Sequence, residues 1–227
     1  MERIVQQCAV ALFVRHPQAG RVKTRLARNL GNQAACDLYR AMVADALANV
    51  QASGLPLYLF HDGQDVLSLP QEWLQAAVAV IGQSGASLGE RMTAAFADLF
   101  SRGCERVILI GSDIPGIDGK LLQSAVAAIE GADVVFAPAF DGGYCLVASP
   151  ADRFDATIFR QIPWSSSAVL AATLQRCTSA DLTYTLLEPR QDIDTLDDLN
   201  AYCRQPALYA VFTNRWLALH GYMDVVQ

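Results

Sequence analysis

The stretch Arg106–Ile117, "RVILIGSDIPGI", decides how the chain is expected to fold. Its first half is a short and largely apolar run, which is the pattern of a buried strand, and Asp113 and Pro115 then end that run. On both sides of it, short apolar runs alternate with longer segments whose apolar residues recur at helical spacing. This alternation predicts an α/β protein with a mostly parallel sheet and helices on both faces.

The predicted elements follow from this pattern along the chain. We expect strands at 8–14, 55–60, 76–82, 106–111, 133–139, 144–149 and 182–188. We expect helices at 32–51, 87–103, 119–131, 165–177 and 195–205, with serine or threonine caps at residues 87, 165–167 and 195. A glycine turn joins the strands at 133–139 and 144–149, which indicates a hairpin-like, mixed part of the sheet.

The chain contains no linker that would divide it. We therefore expect one α/β domain over residues 1–205, with residues 206–227 as a helical appendage of the same domain. The appendage would pack on the sheet or on a second subunit. A length of 227 residues with 52% hydrophobic residues suffices for one sizeable core.

Charge and the chain's first residues limit the partners and the location. A net charge of −6 argues against nucleic acid as the main partner. The first apolar run is too short to span a membrane, and no small-residue cleavage site follows it. The six cysteines include no CxxC pair. We therefore expect a cytoplasmic protein that binds neither membrane nor nucleic acid.

A basic segment, "RHPQAGRVKTRLA", follows the first predicted strand. Ligands of open α/β sheets bind at the carboxyl ends of the strands, which is where this segment lies. Gly20 allows close approach of the backbone, and Arg15, Lys23 and Arg25 are suited to phosphate oxygens. The segment is not a P-loop, because Val22 precedes the lysine. The alternative is a solvated basic loop.

Two acidic segments are candidates for a metal site. Asp113 follows the most apolar strand, at the sheet edge where Mg²⁺ would find a carboxylate and substrate phosphates. Asp192 and Asp194 alternate along an extended segment, so both carboxylates point to one side. The alternative for all three is capping of the following turn or of the helix that begins near Thr195.

Two glycine-containing loops are further candidates. Ser84, Gly85 and Gly89 precede or begin a predicted helix, where phosphates or nucleobases bind well. Arg91 lies in the first turn of that helix, which is unfavourable for a cation unless a ligand or a carboxylate is near.

The second loop lies between two strands. Asp141, Gly142, Gly143 and Tyr144 form a turn that offers polar contacts and leaves space beside a ligand, and Trp164 is a further candidate for contact with an acceptor or a sugar. An ordinary tight turn is the alternative reading.

The order of these motifs resembles a group of bacterial transferases of the nucleotide-diphospho-sugar transferase, or GT-A, superfamily, of the type associated with radical-SAM and selenium-related proteins. More distantly, the chain is similar to phospholactate guanylyltransferase and to the molybdenum-cofactor nucleotidyltransferases. The resemblance spans roughly residues 8–200. It is carried by "FVRHPQAGRVKTRLA", "SLGERM", "GSDIPGI", "DGGYCLV", "IPWSSSAV" and "DIDTLDDL".

The resemblance implies a Rossmann-like GT-A fold that binds a nucleotide with Mg²⁺ or Mn²⁺. By this likeness Lys23 and Arg25 contact the diphosphate or triphosphate and take part in catalysis. Asp113 is the catalytic metal ligand, Asp194 is the second ligand and Asp192 is a further candidate. The loop from Ser84 to Gly89 lies near the base. Arg15 departs from the lysine expected in many relatives, and a guanidinium is a fork rather than a point charge.

Three functions are consistent with these residues. The first is nucleotidyl transfer from a nucleoside triphosphate to a small phosphorylated acceptor, because the basic segment suits a leaving pyrophosphate. The second is glycosyl transfer from a nucleotide sugar, although "SDIP" offers one aspartate where many glycosyltransferases of this fold carry DxD. The third is nucleotide binding without catalysis. The base, the acceptor and the formation of a homodimer stay open.

Overall fold

The structure is a computed structural model and describes residues 6–63 and 65–223. Within these ranges one seven-stranded sheet has the order β3-β2-β1-β4-β6-β5-β7. The strands are β1 (Gln6–Val14), β2 (Leu57–His61), β3 (Ala79–Gly82), β4 (Cys104–Gly111), β5 (Val134–Pro138), β6 (Tyr144–Pro150) and β7 (Tyr184–Leu186). Strand β6 runs antiparallel to both neighbours, β4 and β5, and the other pairs are parallel. The predicted mixed, mostly parallel sheet is confirmed.

Helices cover both faces of the sheet. The α-helices of the described ranges are α1 (Thr24–Leu30), α2 (Asn32–Ser53), α3 (Gln71–Ala76), α4 (Leu88–Ser101), α5 (Gly119–Ile129), α6 (Val169–Ser179), α7 (Leu196–Arg204) and α8 (Val211–Leu219). Helices α2, α3 and α5 share one apolar layer with the sheet, and α4 and α6 share the other. Because both faces are covered, the central strands are buried on both sides and read as continuous apolar runs.

The central strands β1 and β4 lie side by side. Leu12 pairs with Ile110 in their parallel register, and both side chains are completely buried. This pairing places Arg15 and Ser112, which follow the two strands, at the same edge of the sheet.

Two predicted helix caps are confirmed. The Ser87 hydroxyl accepts the N–H of Glu90 at 3.2 Å, and Thr195 and Asp198 form a reciprocal capping box at the start of α7. The serine cap predicted for α6 is wrong. Helix α6 begins after Ala168 without a side-chain cap, because the Ser166 hydroxyl instead accepts the N–H of Ala168 itself.

The C-terminal segment packs against α2 rather than against the sheet. Leu217 of α8 joins Met42 of α2 in a third apolar cluster. The Asp45 carboxylate of α2 accepts the N–H groups of Phe212 and Thr213, both at 2.8 Å, and so receives the first turn of α8. No helix in the described part of the chain is long and apolar enough to cross a membrane. The expectations for residues 1–5, Gln64 and 224–227 lie outside the described residues.

Candidate functional site

The candidate residues gather at one edge of the sheet. The parallel strands β1, β2 and β4 end there, and the antiparallel strand β6 begins there. The loop after β1, the loop after β4 and the turn between β5 and β6 therefore share this edge. This agrees with the general placement of ligand sites in open α/β sheets.

Lys23 lies at the centre of this edge, between two carboxylates. Its Nζ lies 2.7 Å from Asp113 Oδ1 and 2.9 Å from Asp194 Oδ1. It also donates to the carbonyl oxygen of Ile193 at 2.7 Å. The Lys23 side chain is 1% exposed, whereas the carboxylates of Asp113 and Asp194 are 52% and 44% exposed. The ammonium therefore lies beneath two carboxylates that face solvent.

The backbone fixes the two carboxylates relative to each other. The N–H of Ile193 donates to the carbonyl oxygen of Asp113 at 3.2 Å, which attaches the segment before α7 to the end of β4. The carboxylate of Asp198 accepts the N–H of Asp194 at 3.2 Å as part of the start of α7. Capping therefore belongs to Asp198 and Thr195, which leaves the side chain of Asp194 free to pair with Lys23.

Lys23 itself has an unusual backbone. Its φ and ψ are 47° and 43°, in the left-handed region, and it is the N-cap residue of α1. This conformation costs a residue with a Cβ about 1–2 kcal/mol. Such strain is found where the surrounding structure fixes a functional geometry, and here it accompanies a buried ammonium.

The charges in the cluster support one another. Burial alone would lower the pKa of Lys23, but Asp113 and Asp194 outweigh it and raise that pKa. Burial alone would raise the pKa of Asp194, but Lys23, with smaller contributions from Arg25 and Arg15, lowers it. Lys23 and Asp194 are therefore both ionised at neutral pH.

Tyr39 of α2 supports this edge from below. Its buried hydroxyl accepts the N–H of Arg15 at 2.7 Å and lies 3.0 Å from the Ser112 hydroxyl. It thus joins the loops that follow β1 and β4. Burial, and then the charge of Asp113, raises the pKa of Tyr39. Sequence analysis missed Tyr39, because a tyrosine on the apolar face of a helix resembles any other core residue.

Three exposed arginines accompany the cluster. Arg15, Arg21 and Arg25 are exposed, and none of them forms an ion pair with another residue of ranges 6–63 and 65–223. Arg25 and Arg15 lie close enough to Asp194 to lower its pKa. Arginines without carboxylate partners do not stabilise the fold by pairing, so they are available to an anionic ligand.

A cleft of about 570 Å³ opens beside Arg15 and Arg21. His16 holds two segments of the cleft wall together. The backbone N–H of His16 donates to the Asp62 carboxylate at 2.7 Å, and the Nε2 of His16 lies 2.7 Å from the Ser68 hydroxyl. Sequence analysis did not single out Arg21, Asp62 or Ser68. The pairing of β1 with β2 brings them together across about fifty residues of chain. The cleft is lined by Arg15, His16, Gln18, Arg21, Asp62, Gly63, Asp65 and Ser68.

The loop before α4 is held by its own helix. Arg91 donates through Nε to the carbonyl oxygen of Gly85 at 3.1 Å, which accounts for a cation in the first turn of α4. Gly89 is buried, and a Cβ there would meet Phe159 and Trp164. Gly89 therefore serves close packing of α4, while the exposed Ser84 and Gly85 keep their predicted role near a base as a prediction.

The turn between β5 and β6 is packed against the start of α6. Gly142 has φ +91°, and a Cβ there would overlap the carbonyl group of Ser167. The carboxylate of Asp141 accepts the N–H of Gly143 at 2.8 Å. These contacts make the glycine at position 142 a requirement of the fold, whatever else the turn does.

Tyr144 and Trp164 lie in the apolar layer shared with α4 and α6. Their rings are 6.5 Å apart, and Phe136 packs on Tyr144 at 5.1 Å. The Tyr144 hydroxyl is buried. The structure thus gives both residues a packing role, and their predicted contact with an acceptor or sugar stays a prediction.

Asp192 lies next to the cluster and is half-buried. Burial, then the charges of Asp141 and Asp198, raise the pKa of Asp192 to about 6. This coupling shows that the turn carrying Asp141 approaches the segment that carries Asp192 and Asp194. Several predicted acidic residues therefore share one negative region of the edge.

The donor set fits a divalent cation that is held jointly with a ligand. Across the described residues, no three carboxylate, imidazole or thiol groups are placed to hold a metal ion by themselves. Mg²⁺ does not need such a cage, because it is usually bound by one or two carboxylates, substrate phosphates and water. The half-exposed oxygens of Asp113 and Asp194 meet this description.

Comparison with known proteins places the chain in a family. Residues 44–166 match the model of DUF2064, described as an uncharacterized protein conserved in bacteria. The chain belongs to the DUF2064 family. None of the curated proteins matches it. The match includes Asp113 and the turn at Asp141–Gly143 but not Lys23 or Asp194.

A solved structure extends the likeness over nearly the whole DUF2064 chain. A candidate nucleotide-diphospho-sugar transferase from Desulfovibrio desulfuricans G20 is 32% identical, with a TM-score of 0.84, over 96% of this chain and 98% of the other. This confirms the predicted resemblance and the predicted fold. The likeness covers the part of the chain that the family model leaves unmatched.

More distant structures share the fold alone. A cytidylyltransferase from Leptospira borgpetersenii is 13% identical, with a TM-score of 0.56, over 97% of this chain and 98% of the other. The Rv0371c protein of Mycobacterium tuberculosis, in a complex with manganese, is 15% identical, with a TM-score of 0.51, over 88% and 99% of the two chains.

Proposed function

We propose that this DUF2064 protein is a metal-dependent transferase that moves a nucleotidyl group. The donor is a nucleoside triphosphate, the acceptor is a small phosphorylated molecule and the product that leaves is pyrophosphate. The observation that carries the proposal is the position of two exposed arginines, Arg15 and Arg25, beside the carboxylate of Asp194, which shares Lys23 with Asp113. A third exposed arginine, Arg21, lines the cleft next to Arg15.

The arrangement suits a triphosphate that binds together with a divalent metal. The phosphates need cations beside them, and the metal needs carboxylates. Arginine presents a planar fork of N–H donors that matches phosphate oxygens. Asp113 and Asp194 would hold Mg²⁺ or Mn²⁺, which polarises phosphoryl oxygens and neutralises charge when it is bound. The Rv0371c protein, which shares the fold, has been crystallised in a complex with manganese, and this supports the use of a divalent metal.

The reaction then needs positioning rather than covalent catalysis. An oxygen of the acceptor phosphate forms a bond to the α-phosphorus of the donor, and the bond from that phosphorus to the bridging oxygen breaks. Pyrophosphate leaves with the electron pair. Arg15, Arg21 and Arg25 would stabilise the negative charge that grows on it, since preorganised cations cost no reorganisation during the reaction.

Glycosyl transfer from a nucleotide sugar is the second candidate. The observation in its favour is the 32% identity with the Desulfovibrio desulfuricans protein, a candidate nucleotide-diphospho-sugar transferase. The single aspartate after β4 does not count against it, because Asp194 supplies a second carboxylate beside Asp113 from another segment. In this reaction a nucleoside diphosphate leaves.

The product separates the two candidates. Wild-type protein would be incubated with Mg²⁺, each of the four ribonucleoside triphosphates or common nucleotide sugars, and a panel of small phosphorylated acceptors, with ³¹P NMR as the readout. Pyrophosphate formed only in the presence of an acceptor supports nucleotidyl transfer. A nucleoside diphosphate formed from a nucleotide sugar overturns it in favour of glycosyl transfer, and turnover by neither donor overturns both.

A further inference from the structure

The ammonium of Lys23 occupies the space between the two carboxylates that the proposed function assigns to the metal. Three oxygen atoms surround its Nζ within 2.9 Å, from Asp113, Asp194 and the carbonyl group of Ile193. An ammonium has three N–H groups. The side chain is buried, so in this arrangement Lys23 presents nothing to a phosphate group. The role that the resemblance implied for Lys23 does not match this geometry.

The type of residue supports a specific role for this cation. The chain contains seventeen Lys and Arg residues but only two lysines, Lys23 and Lys120. Lys120 is exposed on α5. A compact ammonium fits between two carboxylates that a planar guanidinium would push apart. The left-handed backbone of Lys23, with φ 47°, shows that the fold accepts strain to keep the residue there.

The positive charge of the Lys23 ammonium opposes the binding of a metal ion at the same carboxylates. Two carboxylates and one ammonium carry a net charge of −1, and the formal charges of the nearby Asp141 and Asp192 are offset by those of Arg15 and Arg25. A divalent cation added beside the ammonium would leave an excess of positive charge in a partly buried place, which is unfavourable at such short distances. The phosphates of a nucleotide would restore the balance.

We propose that Lys23 is the resident counter-ion of the metal site, which holds Asp113 and Asp194 together when no metal is bound and makes metal binding depend on the nucleotide. This inference rests on the metal-binding part of the proposed function. Lys23 is then a positioning residue that acts through the two carboxylates. The protein would be protected from loading metal without substrate.

The test is the affinity for Mn²⁺ alone, measured by electron paramagnetic resonance on the full chain. Lys23→Met removes the counter-ion, and Lys120→Met removes the other lysine as the matched control. We expect Lys23→Met to bind Mn²⁺ at least about tenfold more tightly than wild type, since a divalent cation replaces the ammonium, and Lys120→Met to match wild type. Equal or weaker binding by Lys23→Met would overturn the inference.

A second measurement is made on the wild-type protein and does not depend on the folding of Lys23→Met. With two lysines in the chain, ¹⁵N labelling of lysine gives two side-chain signals, and the Lys120→Met variant assigns them. We expect Mg²⁺ alone at millimolar concentration to leave the Lys23 signal unchanged, and Mg²⁺ with a nucleoside triphosphate to shift it. A shift with Mg²⁺ alone, or no shift with both, contradicts the inference.

Failure of the proposed function and failure of the inference about Lys23 give different results. If wild type shows no Mg²⁺-dependent stabilisation by ATP, CTP, GTP, UTP or a nucleotide sugar, the proposed function fails. If a nucleotide binds with Mg²⁺ but Lys23→Met gains no affinity for Mn²⁺ alone, only the role of Lys23 fails.

Discussion

The backbone N–H of Ile193 donates to the carbonyl oxygen of Asp113 at 3.2 Å. This one bond joins the end of the central strand β4 to the extended segment before α7. It brings Asp113 and Asp194 within reach of the same ammonium, that of Lys23. The candidate metal site is therefore made by two segments that lie far apart in the chain and are fixed by backbone hydrogen bonding.

Asp194→Ala should destabilise the protein. The change removes one of the two carboxylates that compensate the buried ammonium of Lys23, and an uncompensated buried charge is costly. Because the carboxylate is 44% exposed, we expect a loss of about 1–3 kcal/mol in the free energy of unfolding rather than more. Urea denaturation measures it. Asp197→Ala, at an exposed position in the first turn of α7, should change stability by less than about 0.5 kcal/mol.

Arg21→Ala and Arg25→Ala should reduce activity and leave stability unchanged. Both side chains are exposed and form none of the ion pairs seen in the described part of the chain, so the fold loses little. Loss of a cation that meets developing phosphate charge should lower kcat/KM by about 10²-fold or more. The control is Arg28→Ala, also exposed on α1. Equal activity of all three variants and wild type would remove the arginines from the mechanism.

Tyr39→Phe should disturb the edge while it preserves the core. The ring volume stays, but the N–H of Arg15 and the hydroxyl of Ser112 lose their buried partner. An unsatisfied buried polar group costs about 1–3 kcal/mol. Thermal or urea unfolding should show this loss, whereas Tyr184→Phe, on the exposed edge strand β7, should show none. A stability of Tyr39→Phe equal to that of wild type would mean that water replaces the hydroxyl.

The stability of the β5–β7 end of the sheet should depend on acid pH through Asp133. Its carboxylate accepts the N–H and the hydroxyl of Thr183, both at 2.7 Å, and these bonds, with a smaller effect of Arg153, lower the pKa of Asp133. A folded-state pKa below the unfolded value of about 3.9 gives stability that is present above that value and lost as the pH falls through the folded-state pKa.

The measurement is urea denaturation from pH 7 to pH 3. Asp133→Asn should be less stable than wild type at pH 7, and the difference should shrink below about pH 4. Asp152→Asn removes an exposed carboxylate that lies 3.9 Å from the same Arg153, and it should keep the pH dependence of wild type. A difference between Asp133→Asn and wild type that does not change with pH would contradict the assignment.

Much of the sheet could be predicted because its signals are local. The apolar run at 106–111 and the helical spacing at 32–51 each carry their own periodicity, and both elements are present. Helix α1 was missed, because its seven residues lie in a basic segment that reads as a loop. The insertion of β6 between β4 and β5 depends on contacts between distant segments, which a linear pattern does not contain.

The site was predicted in composition but not in arrangement. Asp113 follows a predicted strand and Asp194 precedes a predicted helix, and such positions can be found by inspection of the sequence. The burial of Lys23 could not be found in this way, because it depends on carboxylates about 90 and 170 residues further along the chain. A cation in a glycine-containing basic loop is normally expected in solvent, and only the folded edge shows which of the cations is internal.

The central claim is that Asp113, with Asp194 and the exposed arginines, binds a nucleotide together with a divalent metal. The most direct measurement is the thermal unfolding of wild type and of Asp113→Asn with each ribonucleoside triphosphate, with and without Mg²⁺. The account predicts that one triphosphate raises the Tm of wild type only when Mg²⁺ is present, and that Asp113→Asn loses this increase. An increase that is independent of Mg²⁺, or equal in Asp113→Asn, would contradict it.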